Sequence, residues 1–133
     1  MGLRRIIQQD RNGCGLACVA MLAGISYRQA CAIAEQRGWY ADIRKNGMPT
    51  HRLRKLLRDS GVRTNRAVRT SRWERFSDLA IVCTNSHWSV FQRNKAGAER
   101  VFDSNARLKQ GIRTDLSRIR PVFFIEVIGT ADC

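Results

Sequence analysis

Carboxylates are scarce in this chain. Eleven Asp and Glu stand against 24 Lys and Arg, a formal net charge of +13, and twenty of the basic residues are arginine. The balance implies attraction to something acidic: nucleic acid, a membrane surface or an acidic peptide. Histidine is scarcer still, with only His51 and His87. There is no Cys-x-x-Cys, and Cys14 and Cys18, one helical turn apart, have no histidine near them in sequence, which argues against a structural zinc site. No Walker-type glycine loop and no calcium loop is present, so neither metal nor cofactor is expected. No apolar run approaches the ~20 residues of a membrane span. Met1 to Asp10 lacks the apolar core of a signal peptide. Internal repeats and low-complexity linkers are absent as well. These absences lead to the expectation of a soluble, cytoplasmic protein.

What is there suits one domain, residues 1–133. At this length about two thirds of the unfolded surface can be buried, and 44% hydrophobic content is too high for a disordered chain. The five cysteines, at 14, 18, 31, 83 and 133, are odd in number. Cys18, Cys31 and Cys83 lie in apolar surroundings, which fits buried, reduced thiols in a reducing compartment. Cys133, at the C-terminus, is expected to be exposed.

Leu16 to Ala23 is apolar on every side of a helix, the pattern of a helix inside a domain. This helix is expected from Cys14 to Gly24, a good stop residue. Ser26 and Gln29 form a capping-box pattern for a second helix, with Tyr27, Ala30, Cys31 and Ala34 on one face. Trp39 to Pro49 reads as a loop. Thr50 is the expected cap of a third helix to Ser60, with Leu53, Leu56 and Leu57 inward. Strands are expected at 62–68, 80–84, 87–92, 99–103 and 121–128. A short helix within 71–79 would be capped by Ser71 and Glu74. Helices first and strands afterwards predict an α+β fold, with N-terminal helices packed on a C-terminal antiparallel sheet. Arg63, Arg66, Arg69, Arg72 and Arg75 recur every third residue, but the β-leaning composition of 62–68 argues against one helical stripe.

Cys14 stands where a polar loop, Gln8 to Gly13, meets the buried helix. The first turn of a helix offers free N–H groups and the positive end of its dipole, a setting that favours thiolate. Gly13 and Gly15 are expected to leave room for a substrate backbone beside the sulfur. The bland alternative is a small buried hydrophobe. His87 opens a strand after the turn-like Asn85-Ser86, and Asn94-Lys95-Ala96-Gly97 signals a hairpin beyond it. If that hairpin folds about Lys95, His87 faces Asp103, close enough for a carboxylate to hold an imidazole. Cys14, His87 and Asp103 thus fit nucleophile, base and orienting acid. His51, on a polar helix, reads as solvated.

With these residues in view, Gln8, five intervening residues and Cys14-Gly15-Leu16-Ala17-Cys18-Val19-Ala20-Met21-Leu22-Ala23-Gly24 resemble the signature of the bacteriocin-processing peptidases. Those are papain-like domains at the N-termini of exporters, which cleave double-glycine leader peptides. The resemblance extends through Ser26–Ala34, Gly47–Gly61, His87-Trp88-Ser89-Val90 and Val101-Phe102-Asp103. It implies a papain-like cysteine peptidase fold, a triad of Cys14, His87 and Asp103, and Gln8 as the oxyanion-hole glutamine. Gln8 precedes Cys14 by six residues, so the loop can fold back to bring its amide beside the Cys14 N–H. Adjacent Gln9 is the rival for that role.

The leading expectation is a cysteine peptidase that cuts a peptide or isopeptide bond through a thioester, for which the resemblance implies Gly-Gly in a leader peptide as one cleavage site. Its partner would be a peptide or protein substrate, acidic or Gly-Gly containing. Two alternatives stand beside it. One is an arginine-rich binding module for nucleic acid or an acidic protein with an inert triad, its basic surface at Arg52, Arg54 and Arg58. The other is a transferase or deamidase using the same nucleophile.

Overall fold

A computed structural model describes residues 2–130. Its four helices are α1 (Cys14–Ala23), α2 (Tyr27–Gln36), α3 (Tyr40–Asn46) and α4 (Thr50–Asp59). Six strands follow: β1 (Val62–Arg69), β2 (Leu79–Thr84), β3 (His87–Arg93), β4 (Glu99–Phe102), β5 (Ile112–Arg113) and β6 (Phe123–Thr130). They form one sheet in the order β1-β6-β2-β3-β4-β5, antiparallel throughout. The expected α+β arrangement, helices first and antiparallel sheet second, is the one observed.

α1 is the centre of the core. Gly15 to Leu22 are all buried, as an all-round apolar helix requires. Burying side chains such as Leu16, Val19 and Leu22 stabilises by about 1.5–3 kcal/mol each. Gly24 ends the helix in the left-handed conformation. The Ser26–Gln29 capping box is formed in both directions, at 2.8 and 3.0 Å. α2 and α4 add their apolar faces to the same cluster, together with Ile81, Cys83, Trp88, Val90, Phe102 and Ile125 from the sheet. Alternate residues of the strands point the other way. Ala80, Val82, Phe91, Val101 and Phe124 build a second cluster with Phe76 and Leu116. Phe76 stacks on Phe124 at 4.5 Å between ring centroids and meets Phe91 edge-on at 5.1 Å. Helices therefore cover one sheet face, and the 70–78 and 114–122 segments cover the other.

Several local expectations are corrected. Trp39–Pro49 is not a continuous loop, because it contains α3. That helix is short and buries one residue, Ile43, so it has no apolar period to read. Its ends carry the appropriate charges, Asp42 in the first turn and Arg44 and Lys45 in the last. Thr50 is the first residue of α4 rather than its cap; Pro49 occupies the cap position without a side-chain bond. Ser71 and Glu74 form no capping box. Trp73–Arg75 is a single 3-10 turn started by Arg72, and Glu74 instead accepts from Arg72 at 2.9 Å. The arginine repeat is split between β1 and this turn, so no single stripe exists. β5, two residues long, carries no strand signal.

Arg52, Arg54 and Arg58 do not make a common free face. Arg52 pairs with Asp42 at 2.8 Å and lies over the Trp39 ring at 4.9 Å. Both partners come from the α3 region. Arg54 donates to the Thr64 hydroxyl at 3.1 Å, tying α4 to β1. Only Arg58 of the three is exposed. His51 is exposed on α4.

The single anchor of α3 gives a test. Ile43 is fully buried, and Ile43→Ala is expected to cost about 2–5 kcal/mol in urea unfolding. An unchanged midpoint would mean that α3 packs by other contacts.

Candidate active site

Gly13 occupies the cap position of α1 and provides no side-chain acceptor. The first intrahelical bond runs from the Ala17 amide to the Gly13 carbonyl at 3.0 Å. The amides of Cys14, Gly15 and Leu16 therefore have no acceptor within the helix. The space beside both glycines is taken by the protein rather than left for a substrate. A Cβ on Gly13 would overlap the Tyr27 hydroxyl, and one on Gly15 would stand 2.8 Å from Met48 Cβ. The open side of Cys14 lies elsewhere.

The loop before Cys14 is held from α2 and α3. One Asp10 carboxylate oxygen accepts from the Tyr27 hydroxyl at 2.6 Å and the Tyr40 hydroxyl at 3.0 Å. The other faces Arg44 at 3.2 Å. Burial, with Asp10 alongside, pushes both tyrosines well above their ordinary range, so they stay protonated donors. Asn12 donates to the Arg44 and Lys45 carbonyls at 3.1 and 3.0 Å, satisfying the end of α3.

His87 and Asp103 are brought together, though not by the expected register. Val90 pairs with Phe102 and Arg93 with Glu99, so the hairpin turns about Ala96 instead of Lys95. Asn94 Oδ1 accepts from the Ala96 and Ala98 amides at 3.0 and 2.9 Å, which fixes the longer turn. The register moves by two places, which preserves the side-chain face. His87 and Asp103 become diagonal neighbours, and their Nε2–Oδ1 distance is 2.9 Å. The two-residue turn Asn85-Ser86 starts β3, both residues at positive φ, 46° and 66°, as a type I′ hairpin requires.

Cys14 meets the same end of β3. The Trp88 amide approaches Cys14 Sγ at 3.5 Å. The Trp88 indole N–H donates to the buried Met48 carbonyl at 2.9 Å, and Met48 packs on Gly15. Asp103 and then Cys14 act on the imidazole to push the His87 pKa up to about 10, against the opposing effect of burial. With Nε2 on Asp103, Nδ1 is the ring nitrogen left for the sulfur. Burial works against ionisation of Asp103, but hydrogen bonds from His87 and the Asn105 amide hold its carboxyl below the usual range. The arrangement can carry an imidazolium between the Asp103 carboxylate and the Cys14 sulfur, at the tip of a helix with free amides.

The N-terminal segment fastens the acid. Arg5 donates to the Asp103 carbonyl at 2.6 Å and the Asn105 carbonyl at 2.7 Å. The Gln8 amide N–H donates to the Ser104 carbonyl at 3.0 Å, and the Ser104 hydroxyl donates to Gln8 Oε1 at 2.6 Å. Gln8 Nε2 spends its hydrogens on the Asp10 and Arg11 carbonyls, at 3.0 and 2.9 Å. Gln8 is thus built into the site wall, and Gln9 is exposed. Arg5, Ser104 and the Trp88 amide were not foreseen. The first two act across about a hundred residues, and no local pattern marks them; the third is main chain.

Among the described residues, Cys14, Cys18, Cys31 and Cys83 are free thiols, and Cys14 is the half-buried one. Cys133 lies outside the described residues. No single described helix is long and apolar enough to cross a membrane.

Comparison with known proteins supplies one family. The model of the peptidase C39 family matches residues 3–116, a span that includes Gln8, Cys14, His87 and Asp103. No curated protein sequence matches the chain.

Two measurements follow from this geometry. The His87 ring is expected to titrate near pH 10 by NMR, with His51 as a separate signal in the same spectra. Asp103→Asn should move the His87 midpoint down toward the ordinary ~6.5. Because the folded value is the higher one, the stabilisation by this imidazolium is complete below about pH 6.5 and is lost as pH rises through about 10. A His87 midpoint that ignores Asp103→Asn would separate the two residues. In the second measurement, native protein is alkylated with iodoacetamide and mapped by mass spectrometry. Cys14 should react at least about tenfold faster than Cys18, Cys31 and Cys83, whose thiols burial pushes up. Equal labelling of the four would remove the distinction.

Proposed function

Because the chain belongs to the peptidase C39 family, the bacteriocin-processing cysteine peptidases, we propose that Cys14, His87 and Asp103 are its catalytic triad and that it cuts a leader peptide after Gly-Gly. The observation that carries the reading is the meeting of three groups from distant elements. Cys14 comes from the tip of α1, His87 from the start of β3 and Asp103 from the end of β4. His87 is joined to Asp103 at 2.9 Å and is polarised by both Cys14 and Asp103.

In this reading the Cys14 thiolate attacks the carbonyl carbon beside the His87 imidazolium. The new C–S bond pushes the carbonyl electrons onto oxygen. The free Cys14 amide is one donor for that oxyanion, and Gln8 Nε2 is the other. One of the Gln8 N–H groups now on the Asp10 and Arg11 carbonyls turns toward the substrate for this purpose. Collapse breaks the C–N bond, and the His87 proton leaves with the amine. His87 then takes a proton from water, whose oxygen attacks the thioester. Departure of the sulfur restores thiolate and imidazolium. Asp103 keeps the ring oriented and favours its charged form throughout. Family membership supports the Gly-Gly rule and a leader-bearing peptide as partner. A cytoplasmic site of action is part of the same proposal.

The experiment is incubation of wild type and Cys14→Ala with a mixed peptide library that includes Gly-Gly sequences, with cut sites read by mass spectrometry. Two new termini that depend on Cys14 support hydrolysis, whereas a new amide bond would show acyl transfer. On one cleavable peptide, Gln8→Ala should lose about a hundred- to thousandfold in kcat while Cys14 still alkylates at the wild-type rate. Gln9→Ala should remain near wild type. Near-normal turnover of Gln8→Ala would take Gln8 out of the oxyanion hole.

A further inference from the structure

A cleft of about 720 Å³ opens beside His87. One wall is the loop before Cys14 and carries Gln8 and Arg11. The other is the loop after Asp103 and carries Asn105 and Arg107. Arg11 and Arg107 are both exposed, and neither side chain has an ion-pair or hydrogen-bond partner among the described residues. Other arginines, such as Arg58 and Arg63, are exposed as well, but Arg11 and Arg107 are the two that line the cleft beside His87. Arg37, Arg44, Arg52, Arg72 and Arg93 each meet a carboxylate, and Arg5 is spent on main-chain carbonyls. The acids near the cleft are already committed. Asp10 serves Tyr27, Tyr40 and Arg44, and Asp103 serves His87 and the Asn105 amide. The cleft therefore presents two uncompensated guanidinium groups, one from each wall.

We infer that this cleft selects peptides bearing a carboxylate next to the scissile bond, held between Arg11 and Arg107. The inference rests on the peptidase reading above and adds a substrate charge to it. Guanidinium groups suit carboxylates through paired N–H donors. A peptide fits the lining better than nucleic acid does. Asn105 offers its side-chain N–H groups to a peptide backbone, and the cleft has no Phe, Tyr or Trp on which a base would stack. The carboxylate is either a Glu or Asp side chain or the C-terminus of a short substrate, and the two sources share this recognition chemistry.

The test uses peptides with one common Gly-Gly cleavage sequence and Glu, Gln or Lys placed at each of the first positions after the cut. Each is made with a free and an amidated C-terminus. At low ionic strength kcat/KM should fall from Glu to Gln to Lys, by about fivefold for each arginine engaged, and the spread should shrink as salt screens it. Arg11→Ala and Arg107→Ala should each flatten the preference, and Arg107→Glu should shift it toward Lys. Preference for the free-acid peptides alone would assign the carboxylate to the chain terminus. Equal kcat/KM for Glu, Gln and Lys would overturn the inference and leave the peptidase reading standing. Fluorescence anisotropy of the same peptides on Cys14→Ala judges the inference without chemistry. If wild type cuts no peptide, the peptidase reading fails; a Glu preference in binding then still supports the charge selection, and its absence removes it. A single-stranded oligonucleotide that displaces the Glu peptide at lower concentration would overturn the choice of a peptide occupant.

Discussion

The site depends on the grip of Trp88. Its main-chain amide touches Cys14 Sγ, and its indole holds the carbonyl of Met48, which in turn packs on Gly15. One residue thus fixes the distance between the tip of α1 and the first turn of β3. An indole N–H buried without a partner would be costly, so the Met48 carbonyl bond locks the ring in one orientation. His87 precedes Trp88 directly, so whatever places Trp88 also places the imidazole. The all-apolar helix α1 is the rigid side of this arrangement, because eight of its residues are buried.

Charge is distributed with economy. With eleven acids against 24 bases, each carboxylate is a local resource. Asp103 is used on His87, Asp10 on the loop before Cys14, Asp59 on Arg37 and Glu99 on Arg93. Most of these links join different elements rather than decorate one surface. The arginines without acids fall into two groups. Some, such as Arg5 and Arg54, end on carbonyl or hydroxyl oxygens. Others, such as Arg63, Arg66 and Arg69 on β1, are exposed.

How much of this could be read from the sequence varied with how local each signal was. α1 was legible because an unbroken apolar run tolerates one interpretation, and α2 because Ser26 and Gln29 cap it reciprocally. α3 was not, since a single buried Ile43 makes no periodicity. β5 was not, since two residues carry no alternation. The second apolar cluster escaped notice because Phe76 and Leu116 lie in segments without regular structure. In the β3–β4 hairpin the face was legible and the register was not. The Asn94 side chain, by accepting from two amides, moved the turn centre one residue, and parity alone kept His87 beside Asp103. Cys14, His87 and Asp103 lie at one end of β3 by a register the sequence did not predict, and Arg52 and Arg54 are covered by partners on α3 and β1. Arg5 and Ser104 illustrate the general limit: a contact between two loops ninety-odd residues apart leaves no trace in either.

The fastening of Arg5 and Gln8 onto the loop after Asp103 has a consequence for the order of assembly. These contacts span 98 and 96 residues of chain, so they are among the last that a growing polypeptide can close. Cys14, α1 and the segment carrying Arg5 and Gln8 leave the ribosome early, yet Asp103 and the loop that they hold follow about ninety residues later. A nascent chain therefore presents Cys14 before Asp103 and the loop around it have been made. Chain order alone thus sets when the Cys14 sulfur meets the His87–Asp103 pair.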